Sequence, residues 1–126
     1  GHQTRSFLYI DECIEATRRL MDSECTEPIN IGSEEMVTIN ELVRITARVA
    51  NKSIGRDHVD VPHTGVRGRN SNNDLIREKL GWDYKMTLEE GIRKTYNWIM
   101  SQIAKDIAND ADISNKKYLA YGNCAK

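Results

Sequence analysis

Residues 37–50 read VTINELVRITARVA. Thr38 and Glu41 have the spacing of a capping box, in which the Thr hydroxyl accepts the Glu41 amide and the Glu carboxylate reaches back to the Thr38 amide. Val37 and Leu42 stand where a hydrophobic staple would hold the chain's entry angle. Behind the box, Ile39, Leu42, Val43, Thr46 and Ala50 recur on one face, with Ile45 and Val49 at its edge. The pattern predicts an amphipathic helix over 39–50. A second box, Thr87 with Glu90, opens the longest helical pattern, whose face is marked by Leu88, Ile92, Thr95, Ile99 and Ile103 with Trp98 beside it. That helix should fray near residues 108–110.

The rest of the chain alternates short apolar runs with helical patterns. SFLYI at 6–10 predicts a strand, and Asp11 is placed to cap a helix from Glu12. On that helix Ile14, Thr17 and Met21 share one face, with Cys13, Ala16 and Leu20 beside them. PINIG at 28–32 predicts a short strand stopped by its glycine. IGRDHVDV at 54–61 predicts another, closed by Pro62. A short helix over 74–80 should end at Gly81 in a left-handed cap, letting Trp82 fold back on it. Residues 111–126 carry no helical period and read as a tail. The expected organisation is an α/β unit over residues 1–110 and a tail over 111–126. The strands are too few for an independent doubly wound sheet, so the unit should pack against something outside this chain.

Composition narrows the function. The chain has 126 residues, 18 Lys plus Arg against 19 Asp plus Glu, and a formal net charge of −1. Charges that nearly cancel exclude a basic nucleic-acid module. No apolar run approaches the ~20 residues of a membrane span. Cys13, Cys25 and Cys124 are odd in number and widely spaced, without a CxxC or Cys/His cluster. They read as reduced thiols and point to a cytoplasmic protein without a zinc site. The opening GHQTRSFLYI lacks both an initiator Met and a signal-peptide pattern, and reads as the middle of a longer protein.

The candidate chemistry lies in GVRGRNSNN at 65–73. Arg67 and Arg69 sit on a loop whose glycines let the backbone approach a ligand. Guanidinium forks suit phosphate oxygens, and the helix start at 74 would add orphan amides. A solvated loop with two surface arginines is the competing reading. Gln3, Thr4 and Arg5 form a second polar cluster beside the first strand. His58 and His63 read as surface residues, and Trp82, Tyr96 and Trp98 as core. The chain holds no GxGxxG, no GxxxxGK and no nucleophile with its base. From the residues alone, the reading stops at an α/β unit with a candidate anion-binding loop.

Five stretches carry a resemblance. QTRSFLYIDEC (3–13), EPINIGSEEMVTINEL (27–42), GVRGRNSNN (65–73), LIREKLGW (75–82) and LEEGIRKTYNWI (88–99) resemble the C-terminal part of extended short-chain dehydrogenase/reductases. Within that superfamily the pattern is similar to the NAD-dependent epimerases, dehydratases and decarboxylases of nucleotide sugars. It is closest to the group that epimerises GDP-mannose at C3 and C5. The resemblance covers residues 3–104 and weakens in the tail, where Tyr121 and Gly122 match the family's YG.

The resemblance implies a substrate-binding lobe whose Rossmann domain, with NAD and the catalytic residues, would precede Gly1. No catalytic or cofactor-binding residue is then expected in this chain, which alone would be inactive. Gln3, Thr4 and Arg5 match a segment that contacts the nucleotide sugar. Arg69, with Arg67 second, matches the loop that holds the GDP diphosphate. Cys124 stands where the family's tail uses a Ser, and a thiol is a poorer hydrogen-bond donor than a hydroxyl. The implied reaction oxidises C4 of the hexose transiently, exchanges protons at C3 and C5, and returns the hydride. The full-length enzyme is implied to be a homodimer, with no nucleic-acid or membrane partner. A UDP-glucuronate decarboxylase is the nearest alternative within the family. A non-catalytic helical interaction module is the alternative of another class.

Overall fold

The computed structural model describes residues 1–59 and 65–108. In chain order the elements are β1 (Thr4–Ser6), α1 (Ile10–Met21), β2 (Met36–Thr38), α2 (Ile39–Val49), β3 (Gly68–Arg69), α3 (Asp74–Leu80) and α4 (Leu88–Ala108). The three strands form one sheet in the order β2-β1-β3. β1 runs antiparallel to β2, with Arg5 opposite Val37, and parallel to β3, with Arg5 opposite Arg69. Gly68 is required in that register. A Cβ there would lie 2.8 Å from the Thr4 hydroxyl oxygen and 3.4 Å from the Met36 methyl carbon.

Both capping boxes form. The Thr38 hydroxyl accepts the Glu41 amide at 3.1 Å, and the Glu41 carboxylate accepts the Thr38 amide at 3.0 Å. At the start of α4, Glu90 accepts the Thr87 amide at 2.9 Å, and Thr87 accepts the Glu90 amide at 3.3 Å. Gly81 closes α3 at φ 58°, its amide donating to the Arg77 carbonyl at 3.0 Å. Trp82 then turns inward and is buried with Ala16 and Ile76, against which Leu8, Ile29, Ile31, Leu80 and Tyr84 pack.

The strands depart from the sequence pattern. β1 lies at 4–6, not 6–10, because its ladder partners, residues 36–38 and 68–69, pair there. Beyond Ser6 the chain turns into α1, which starts at Ile10. Tyr9 holds the N-cap position without a side-chain cap bond, and Asp11 sits in the first turn. Residues 28–32 form no strand, having no ladder partner among the described residues. Residues 54–59 form none either, and Val59 is exposed. Val61, Pro62 and His63 lie outside the described residues, as does the tail at 111–126. On α1 the covered row is Ala16 with Cys13 and Leu20, while Ile14 and Met21 are exposed.

The chain divides into two units, residues 1–93 and 94–126. The first carries the sheet, α1 to α3 and the opening turns of α4. In the second, Trp98 is 63% exposed and Ile99 42%, so Trp98 is not core, while Ile103 on the predicted face is half-buried.

Long-range polar contacts organise the first unit. Asn73 is fully buried. Its amide side chain donates to the Gly32 carbonyl at 2.8 Å and accepts the Ser71 hydroxyl at 2.7 Å. Its backbone amide donates to Glu34 at 3.0 Å. The other Glu34 oxygen takes Arg77 at 2.6 Å, and Arg77 also reaches Asp83 at 2.8 Å. Residues 30–34 and 71–73 are thereby held together, so closely that a Cβ on Gly32 would lie 2.6 Å from the Ser71 Cβ. Two further carboxylates close the turn before α4. Glu12 accepts the Lys85 and Met86 amides at 2.6 and 3.1 Å, and Glu35 accepts the Leu88 amide at 2.8 Å.

Replacing the buried Asn73 by Ala leaves the Gly32 carbonyl and the Ser71 hydroxyl without their partner. Asn73→Ala should cost about 1–3 kcal/mol, measured by denaturant unfolding of this chain beside the unsubstituted one.

Acid should loosen the same network. Its hydrogen bond to Arg77, and then the Asn73 amide, hold the Glu34 carboxyl below its ordinary range. Arg77 does the same for Asp83. Carboxyls with depressed folded-state values contribute stability above their ordinary pKa and lose it as pH falls through the depressed values. The melting temperature should therefore drop below about pH 4. Glu34→Gln should flatten part of that drop in a thermal-melt series against pH.

Candidate functional site

A cleft of about 370 Å³ opens between the end of β1 (Arg5, Ser6), residues 30–33 and residues 69–71, with Leu8 at its base. That volume suits a small-molecule ligand. The sheet register produces it. The parallel pairing of β1 with β3 sets Arg5 beside Arg69, so two clusters 64 positions apart in the chain line one space. Among the described residues no carboxylate lines the cleft. Arg5 spends one donor on the Thr4 carbonyl at 2.7 Å, which braces it. Arg69 is exposed and has no side-chain partner among the described residues. Two cations without a counter-charge favour an anionic ligand, and planar forks favour one with paired oxygens.

The other residues singled out from the sequence lie elsewhere. Gln3 is half-buried and its carbonyl accepts the Ile39 amide at 3.1 Å. Thr4 abuts Gly68. Arg67 is exposed at the bend before β3, and its carbonyl accepts the Thr4 amide at 2.8 Å. None of these three lines the cleft. Gln3 and Thr4 hold the edge of β1 through backbone bonds. Cys124 lies outside the described residues.

One expectation fails in part. The start of α3 offers fewer orphan amides than a free helix end, because its first two are taken. The Asp74 amide is taken by the Asn72 side chain at 2.9 Å and the Asn73 amide by Glu34 at 3.0 Å. An anion would meet the Glu34 carboxylate beside the Asn73 amide, so the arginines are the stronger anion-binding groups.

Sequence reasoning missed the third wall, residues 30–33. Ser33 is buried, its hydroxyl accepting the Glu35 amide at 3.1 Å. Asn30 is exposed on the cleft. The signal was the glycine at the end of PINIG, which marks a close backbone approach as well as a strand end.

Among the described residues no glycine-rich turn could cradle a dinucleotide. The junction from β1 to α1 is Phe7-Leu8-Tyr9, with no glycine to let a pyrophosphate reach a helix start. Among the described residues no group of three His, Cys, Asp or Glu could hold a metal ion. No described helix is long and apolar enough to cross a membrane.

No protein-family model matches the chain. It is 51% identical over 114 residues to the GDP-mannose 3,5-epimerase of Arabidopsis thaliana, covering 90% of this chain and 30% of that protein. It is 36% identical over 92 residues to UDP-glucuronic acid decarboxylase 5 of the same plant, covering 73% of this chain and 27% of that protein. Among solved structures, the UDP-glucose 4-epimerase of Thermotoga maritima, determined with UDP-glucose, superposes with a TM-score of 0.77 at 25% identity. That match covers 82% of this chain and 33% of the other. The chain thus spans about a third of the length of the relatives it matches. Over most of its length the chain is thus similar in sequence and fold to one part of the epimerases and dehydratases of the extended short-chain dehydrogenase/reductase family.

Proposed function

We propose that this chain is the substrate-binding part of an NAD-dependent enzyme that converts GDP-mannose to GDP-L-galactose by epimerisation at C3 and C5. The observation that carries the reading is the β1–β3 register, which sets Arg5 and Arg69 on one cleft with no carboxylate among its described lining residues. The two guanidinium groups would grip the diphosphate and so fix the hexose for chemistry done by other groups. Identity of 51% to a GDP-mannose 3,5-epimerase, against 36% to a UDP-glucuronic acid decarboxylase, supports the guanine nucleotide over the uracil one.

NAD does not fit the described residues, and its place is proposed to be a Rossmann domain outside this chain. The proton-moving side chains are assigned to the same domain, so the chain by itself is proposed to be inactive. Cytoplasmic location and a homodimeric full-length enzyme belong to the same proposal. Cys124 is kept as a weaker substrate contact from the tail.

Arg69→Ala, made in the full-length enzyme, should weaken GDP-mannose and GDP binding about ten- to a hundredfold, and leave NAD binding within about twofold. Arg69→Lys should restore only part of the loss, because an ammonium cannot make the bidentate contact. Calorimetry of the variants with each ligand measures this. Affinities for both guanine ligands unchanged by Arg69→Ala would remove the diphosphate reading.

A further inference from the structure

We infer that Asn30 reads a hydroxyl group of the ligand next to the diphosphate, and so sets specificity in the cleft; the inference rests on the proposed nucleotide-sugar function. The polar side chains around the cleft divide into those already spent and those left open. The Ser33 hydroxyl accepts the Glu35 amide, and the Ser71 hydroxyl donates to Asn73. One Arg5 donor goes to the Thr4 carbonyl. Asn30 faces the same space, exposed, with no hydrogen bond to its side chain among the described residues.

Its chemistry differs from that of its neighbours. Guanidinium groups only donate, which suits phosphate oxygens. A carboxamide both donates and accepts, which suits a hydroxyl, itself donor and acceptor. Diphosphate oxygens beside Arg5 and Arg69 bring the flanking sugar within the reach of the facing wall.

Asn30 is also held in place. Ile29 and Ile31 on either side of it pack against the Ala16–Ile76–Trp82 core. Two residues on, the Gly32 carbonyl is tied to the buried Asn73 side chain at 2.8 Å. A polar group on a pinned segment loses little freedom on binding, which is what a specificity contact needs. Asn70, the other open carboxamide of the cleft, is exposed, and the residues on either side of it, Arg69 and Ser71, are not apolar anchors.

The hydroxyl can belong to the ribose or to the hexose, and the test separates them. Asn30→Ala and Arg69→Ala are made in the full-length enzyme and titrated by calorimetry with inorganic pyrophosphate, GDP and GDP-mannose. Melting temperatures are taken in parallel. Asn30→Ala should leave pyrophosphate binding and the melting temperature unchanged, and weaken GDP-mannose about three- to tenfold. An equal loss with GDP assigns the contact to the ribose, and a loss with GDP-mannose alone assigns it to the hexose. Arg69→Ala should weaken all three ligands. Affinities for GDP and GDP-mannose within twofold for Asn30→Ala would overturn the inference, as would a loss that includes pyrophosphate, since Asn30 would then only shape the cleft. If Arg69→Ala is silent while Asn30→Ala is not, the diphosphate reading fails and the hydroxyl contact stands.

Discussion

The carboxamide of Asn73, buried between Gly32 and Ser71, ties together two segments that are 41 positions apart. One carries the Asn30 wall of the cleft and the other the Arg69 wall. Neither segment has a ladder or helix of its own where it meets the other, so side-chain hydrogen bonds take the place of secondary structure. Glu34 extends the tie to Arg77 on α3, and Arg77 extends it to Asp83 beyond the Gly81 turn. The turn in turn delivers Trp82 to the core. A few polar groups in series thus connect the position of the cleft walls to the packing of the apolar centre. Each is satisfied, which is the condition under which a buried polar group specifies a structure rather than weakening it.

What the sequence made legible was local. Thr38 with Glu41 and Thr87 with Glu90 act over three residues, so spacing alone announces them. Gly81 announces a left-handed cap for the same reason. The strands were legible only in part. SFLYI has the composition of a strand, but a ladder needs a partner, and Met36–Thr38 and Gly68–Arg69 both pair with Thr4–Ser6. The displaced apolar residues found other uses: Leu8 packs on the core, and Tyr9 lies against Gly91, where a Cβ would come within 3.3 Å of it. PINIG shows the same limit, since its isoleucines pack while its backbone pairs with no strand among the described residues.

The site was legible as residue types rather than as an arrangement. Arg5 and Arg69 belong to clusters that composition picks out, one by its Gln and Thr neighbours and one by its glycines. Nothing local says that they share a cleft. That follows from a parallel register two residues long, made possible by the hydrogen at Gly68. The orphan amides expected at α3 were a local inference that tertiary structure overrode in part, because Glu34 arrives from 39 positions away and takes the Asn73 amide. Asn30 was illegible for a related reason. An Asn between two Ile looks like a strand residue until the wall it belongs to has formed.

The account turns on the two arginines gripping one diphosphate. A crystal structure of the full-length enzyme with GDP-mannose tests this most directly. The account predicts diphosphate oxygens within hydrogen-bond distance, about 2.7–3.2 Å, of both the Arg5 and the Arg69 guanidinium groups. A diphosphate bound elsewhere, with the Arg5–Arg69 cleft holding only solvent, would contradict it.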